Sequence, residues 1–210
     1  MSPATRSLPQ IIGGHPVLEL LSGRIAQRSK PGHREEEARL ALVIEGGGMR
    51  GVIAGGMVSA LDELGLQDAF DLVIGTSAGA LAGAFFLAHQ THMGTSIYYE
   101  DLTGREWLDY RRALRGSPIV ALDYLLDEIM VNHKVLDCAR VLASEVPFYS
   151  VATRVPDYEA EVLGGFKSDQ ELISALRASA RIPLVAGKPV PLGSGQYIDG
   201  SLSEAIPLQA

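Results

Sequence analysis

The sequence predicts an α/β domain with a mainly parallel central sheet flanked by helices, and three observations carry that prediction. Two short apolar runs, Arg39–Glu45 and Asp71–Ile74, each end in a glycine-rich turn that opens a helix-forming segment. Strand, glycine turn and helix, repeated, bring the second strand back parallel to the first through a right-handed crossover. The third observation is bulk: 210 residues, 47% hydrophobic and 20% charged, suit one globular domain with a sizeable core.

Composition also excludes some function classes. A formal charge of −7 argues against a general nucleic-acid binder, because phosphate affinity needs a basic face. The single cysteine, Cys138, forms no intramolecular disulfide and suits a reducing compartment. It is read as a core or half-buried residue, not a nucleophile. The start, Met1 to Arg6, lacks the continuous apolar core of a secretory peptide. The most apolar window, Leu72 to Ala88, holds three glycines and a proposed turn, so it is not read as a membrane span. The expectation is a cytoplasmic protein, free to meet a membrane surface peripherally.

In chain order, residues 1–38 form an N-terminal arm and linker, with one or two helical turns at His15–Leu21. Ser29 to Glu37 reads as a mobile polar linker, broken by Pro31 and Gly32. Residues 39–210 make the main domain. The run at 39–45 is short and apolar, as expected of a strand covered on both faces. Val52 to Leu64 is a helix with Gly65 as its left-handed stop, and Ala78 to Gln90 is the second helix. Residues 91–146 form a helical insertion, with helices expected at Arg105–Leu114, Leu122–Met130 and Leu136–Ser144. Strands resume at Phe148–Arg154 and Glu159–Leu163. Ser168 and Glu171 form a capping box for a helix over Asp169–Ala178. A last strand, Gln196 to Gly200, contains Asp199.

The stretch Gly75-Thr76-Ser77-Ala78-Gly79 has the G-x-S-x-G pattern of a strand-to-helix turn that lifts a serine hydroxyl above a sheet. The same pattern fits an ordinary turn with a serine N-cap. A nucleophilic serine needs a base and donors for the oxyanion it creates. Gly46-Gly47-Gly48-Met49-Arg50-Gly51 can supply the donors: successive glycines let N–H groups converge, the following helix adds its positive end, and Arg50 adds charge. Gly46-x-Gly48-x-x-Gly51 also matches the dinucleotide fingerprint, which predicts an acid about 20 residues on, at the end of the next strand. Asp71 has that spacing but starts its strand. No Gly-Lys-Ser/Thr follows, so a Walker loop is excluded.

The base is harder to place. A triad in the order Ser, acid, His needs a histidine after Ser77, and none lies beyond His133. His133 with Asp101, Asp109, Asp123 or Asp127 as orienter is contrived; the histidines read better as surface residues.

Taken together, the glycine block 46–51, the serine block 75–79 and Asp199-Gly200, each at a strand end and in this order, resemble the signature blocks of the patatin-like phospholipases. The resemblance covers roughly residues 39–208 and extends to Ala178–Pro183 and Ile206-Pro207. It implies a Ser–Asp dyad without histidine, with Ser77 as nucleophile and Asp199 as base, and an oxyanion hole at Gly46, Gly47, Gly48, Arg50 and Gly51. It further implies hydrolysis of lipid acyl esters with no cofactor or metal. An aspartate with its ordinary pKa near 3.9 is a weak base, so partial burial and modest turnover are expected. Two departures stand out. Ser201 replaces the usual third residue of the Asp-Gly-Gly or Asp-Gly-Ala block. The chain also stops soon after Asp199, where members commonly continue, so Asp199 is expected to be less firmly anchored than Ser77. In the insertion, Tyr98, Tyr99, Trp107, Leu108, Tyr110 and Tyr124 read first as packing residues, and otherwise as an acyl channel or lipid-facing lid. Arg105, Arg111, Arg112 and Arg115 read as a solvated helix face, with lipid phosphates as the other use.

Overall fold

A computed structural model describes residues 14–209; the reading of Met1 to Arg6 lies outside them. Helix α1 (Pro16–Gln27) precedes strand β1 (Ala41–Ile44), a 3-10 turn at Gly48–Arg50 and α2 (Gly51–Glu63). Strand β2 (Leu72–Thr76) leads into α3 (Ala78–Leu87) and α4 (Thr91–Glu100). After a 3-10 turn at Tyr110–Arg115 and a π-helix at Tyr124–His133 come α5 (Cys138–Leu142), β3 (Phe148–Val155) and β4 (Ala160–Gly164). Helix α6 (Asp169–Ser179), β5 (Val190–Leu192) and β6 (Gly195–Asp199) complete the order.

The six strands form one mixed sheet flanked by helices. β1, β2 and β3 are parallel, whereas β4 and β6 run antiparallel to β3 and β5 antiparallel to β6. β1 is an edge strand with only Ile44 buried, so the expected cover on both faces is absent there. β2 is an interior strand between β1 and β3, buried from Val73 to Thr76. All ten residues of α3 are buried, which explains their lack of a polar face: the helix runs through the main core beside β2, against Phe148 and Val73. A second, smaller core joins α6 to β3, β4, β5 and β6 through Ala152, Leu163, Ala175, Ala178, Val190 and Tyr197.

Three expectations need correction. Arg105–Leu114 is not an α-helix. Asp109 caps the Arg111 N–H and Gly116 stops the chain in the left-handed region, leaving a six-residue 3-10 turn, too short for α-helical cooperativity. The capping box at α6 is shifted: Ser168 Oγ accepts from Glu171 N, but the Glu171 carboxylate takes the Lys167 N–H. From residue 14 onward the arm is not loose. α1 is twelve residues long, and Arg24, 2% exposed, and Arg34 both bind Asp71, with further bonds to carbonyls of Ala69, Ala38, Asp68 and Phe70.

Candidate active site

Strand registers explain why residues 122 positions apart meet. β4 pairs with residues 149–153 of β3. A strand has two edges, so β2, paired with 148–151, and β6, paired with 152–155, must share the other. β2 runs along that edge in the direction of β3 and β6 runs against it, so their C-terminal ends face each other, with Thr76 opposite Val151 and Asp199 opposite Ala152. Ser77 is the next residue after Thr76. Its Oγ donates to Asp199 Oδ2 at 2.7 Å, and both residues are buried.

The serine turn is strained. Ser77 has φ 53° and ψ −122°, a backbone that L-residues rarely adopt. It is held by Ser179 Oγ, which accepts the Ser77 N–H at 2.7 Å and donates to Val151 O at 2.6 Å. The glycines permit the close packing behind it: a β-carbon on Gly75 would strike the Gly79 carbonyl, and one on Gly79 the carbonyls of Ile44 and Glu45.

Asp199 is tied at both ends. Its N–H donates to Arg181 O at 2.9 Å, its carbonyl accepts from Thr153 Oγ1 at 2.8 Å, and Oδ1 accepts the Ser201 N–H at 2.8 Å. The tail beyond it is anchored too, with Thr76 Oγ1 donating to Glu204 O and Gly46 N to Ala205 O. The expectation of weak anchoring is therefore corrected. Burial pushes the Asp199 carboxyl above its ordinary value, while the Ser77 hydroxyl and the Ser201 N–H and hydroxyl pull the other way.

The glycine loop lies against this pair: a β-carbon on Gly46 would strike Ser201 Oγ and lie 3.3 Å from Ser77 Cβ. Its N–H groups are not equivalent. Gly46 N is engaged by Ala205, Arg50 N by Gly47 O and Gly51 N by Gly48 O. Gly47 and Gly48 open the turn, with no helical carbonyl behind their N–H groups, and Gly48 has φ +54°. The Arg50 side chain folds back over Gly47.

Ser77 opens onto an apolar cavity of about 190 Å³ whose other walls include Gly48, Leu81, Tyr98, Trp107 and Leu125. The aromatics of the insertion thus divide. Tyr98, Trp107 and Leu108 line this cavity, Tyr124 packs on the core, and Tyr99 and Tyr110 are exposed. Burial raises the Tyr98 hydroxyl pKa to about 12, so it stays protonated.

None of the described histidines approaches the pair. His89, His92 and His133 face Asp62, Glu63 and Glu128 on the surface. Asp71, the acid a dinucleotide would use, starts β2 and is engaged by Arg24, Arg34 and Leu40 N. Cys138 is buried, its thiol pushed up to about 11 by burial and then by Asp169 and Asp137, which suppresses thiolate. Sequence reading missed Ser179 and Thr153, whose hydroxyls hold Ser77 and Asp199. Ser179 carried one signal, its place in the Ala178–Pro183 stretch.

Comparison with known proteins bears on the chain's family. The family model described as "Patatin-like phospholipase" matches residues 42–210. Protein YjjU of Escherichia coli K12, described as uncharacterized, is 33% identical over 178 residues, covering 83% of this chain and 48% of that protein. The crystal structure of VipD from Legionella pneumophila aligns with a TM-score of 0.49 and 15% identity, over 79% of this chain and 46% of that one. The chain thus spans about half the length of the curated relative it matches. With a family model covering everything from the first strand to the tail that closes over Thr76 and Gly46, the chain belongs to the patatin-like phospholipase family.

Proposed function

We propose that the protein is a serine ester hydrolase acting on lipid acyl esters through Ser77 and Asp199. One observation carries the reading: the 2.7 Å hydrogen bond from Ser77 Oγ to a buried carboxylate, at a strained turn that opens onto an apolar cavity. In the first half-reaction Ser77 Oγ attacks the ester carbonyl carbon and its proton passes to Asp199 Oδ2. The N–H groups of Gly47, Gly48 and Ala78 receive the oxyanion, helped by the positive end of α3. Loss of one such donor costs about 2.7–4 kcal/mol of transition-state stabilisation. As the tetrahedral intermediate collapses, Asp199 returns the proton to the departing alcohol and the acyl group stays on Ser77. Water, deprotonated by Asp199, then attacks the acyl carbon; as this second intermediate collapses, the C–O bond to Ser77 breaks, Asp199 returns the proton to Ser77 Oγ, and the carboxylic acid leaves. The apolar walls suit the acyl chain. Burial raises the basicity of Asp199, which supports direct proton transfer without histidine.

The test is reaction with a fluorophosphonate probe and hydrolysis of a p-nitrophenyl acyl ester. Wild type should label at Ser77, Ser77→Ala should not label, and both Ser77→Ala and Asp199→Asn should lose at least about a hundredfold in turnover. Full activity in either folded variant would refute the dyad.

A further inference from the structure

Two loops frame the mouth of the cavity and are tied into one surface. Leu108 pairs with Val120, Asp109 N–H donates to Ile119 O at 3.0 Å, and Val120 N–H donates to Val185 O at 2.9 Å. Arg181 clamps the second loop by donating to Ala186 O at 2.6 Å. Leu108 and Ile182 belong to both worlds: they line the cavity that holds Ser77 and are themselves about a third exposed.

Beyond them the loops present their large apolar side chains to solvent. Leu184 is 94% exposed and Leu114 89%. Leu184 also holds φ +66°, a left-handed backbone that costs a branched residue stability without any packing return in the isolated chain. Cations surround these tips. Residues 104–120 and 182–189 carry five, Arg105, Arg111, Arg112, Arg115 and Lys188, against the two acids Glu106 and Asp109, in a chain of formal charge −7. Asp109 is bound to Arg111, while Arg105, Arg115 and Lys188 have no ion-pair partner among the described residues.

We propose that this face docks on an anionic phospholipid bilayer, with Leu114 and Leu184 entering the interface and Arg105, Arg115 and Lys188 meeting lipid phosphates. Apolar tips alone would fit any apolar partner. The unpaired cations against an acidic chain select a negatively charged surface, and the shared walls Leu108 and Ile182 put the cavity mouth at the contact. The inference rests on the lipid-ester reading only for the purpose of docking, since the surface itself does not include Ser77 or Asp199.

The experiment is vesicle flotation of the full chain with phosphatidylcholine vesicles and with vesicles that also contain phosphatidylglycerol. Binding should be at least about tenfold stronger to the anionic vesicles and should fall as salt shortens the screening length. Leu114→Ser combined with Leu184→Asn, and separately Arg105→Gln with Arg115→Gln and Lys188→Gln, should each lose about tenfold or more of that binding. Both variants should keep fluorophosphonate labelling and hydrolysis of a soluble short-chain ester, which shows that they fold. Ser77→Ala should float like wild type, so a failed mechanism leaves the docking result intact. Wild type that stays unbound at low salt, equal binding to both vesicle types, or undiminished binding in both variants would overturn the proposal. So would a dimer that buries Leu114 and Leu184 against a second copy.

Discussion

The Asp199 carboxylate lies beneath Ser77 with the Ser201 N–H on its other oxygen, and burial still pushes its pKa above the ordinary 3.8. Two consequences are measurable. As the proposed base, Asp199 must be ionised, so kcat/KM for a soluble ester should fall as pH drops through its raised value, giving an acid limb above 3.8. The stability effect has the opposite sense. Between the unfolded and the raised folded pKa the native state holds more protons, so stability contributed by this group declines as pH rises through that window. Asp199→Asn removes the buried charge while retaining an oxygen for Ser201 N–H and an amide toward Ser77 Oγ. It should therefore be inactive, yet at least as stable as wild type at neutral pH, with the advantage shrinking toward acid. Urea melts at several pH values check this, and a variant that melts far earlier at pH 7 would contradict it. Ser77 and Asp199 were legible in the sequence because each sits in a short block whose glycines serve local geometry. Ser179 and Thr153 were not legible: a hydroxyl that works by reaching a residue about 100 or 46 positions away leaves no local pattern.

Among the secondary-structure elements, the glycines of the serine turn and of α2 give opposite expectations for the same chemical change. Gly79 has carbonyl oxygens of Ile44 and Glu45 where a β-carbon would go, and backbone cannot rotate away as a side chain can. Gly79→Ala should cost about 1–3 kcal/mol as an overpacking substitution and should lower labelling of Ser77 by displacing the turn. Gly56, exposed in the middle of α2 with open space at its β-carbon, should gain about 0.5–1 kcal/mol on substitution by alanine. Paired denaturant melts decide between them, and a stabilised Gly79→Ala would show that the turn is looser than its packing implies. The same contrast explains what the sequence revealed of the elements. Strand–glycine–helix units were readable because a turn imposes its residues locally. The end of Arg105–Leu114 as an α-helix was not, because Asp109 and Gly116 had to be recognised as cap and stop with only six residues between them. Nor was the edge position of β1, since strand order is decided by the chain that returns later.

At the scale of the described residues, the arm from residue 14 onward is fastened to the sheet by a buried ion cluster. Arg24 donates to Glu36 at 2.7 Å and to Asp71 at 2.9 Å, and Arg34 donates to Asp71 at 2.5 Å. Asp71 also accepts the Leu40 N–H at 2.7 Å, next to the start of β1. Burial alone would raise the Asp71 carboxyl, but the Leu40 N–H and the two guanidiniums outweigh it, and its pKa is lowered. The sign follows: the group stabilises the fold fully above its unfolded value, and that stabilisation is lost as pH falls through the lowered folded value. Composition hid this, because Glu35-Glu36-Glu37 and its flanks look solvated until β2 places Asp71 beside them. Asp71→Asn keeps the shape and removes the charge that two buried guanidiniums share. It should cost about 3 kcal/mol, the low end for deleting one partner of a buried pair because Glu36 still faces Arg24. Two readouts separate this from a general loss of packing. The acid-side slope of stability from the unfolded carboxylate value downward should flatten, since the titrating group is gone. Trypsin should cut faster after Arg24, Arg28 and Arg34, while fluorophosphonate labelling of Ser77 persists, because the clamp sits at the N-terminal end of β2 and the serine at the other. Unchanged proteolysis with an unchanged pH slope would mean that α1 is held by the apolar packing of Leu20, Leu21 and Ile25.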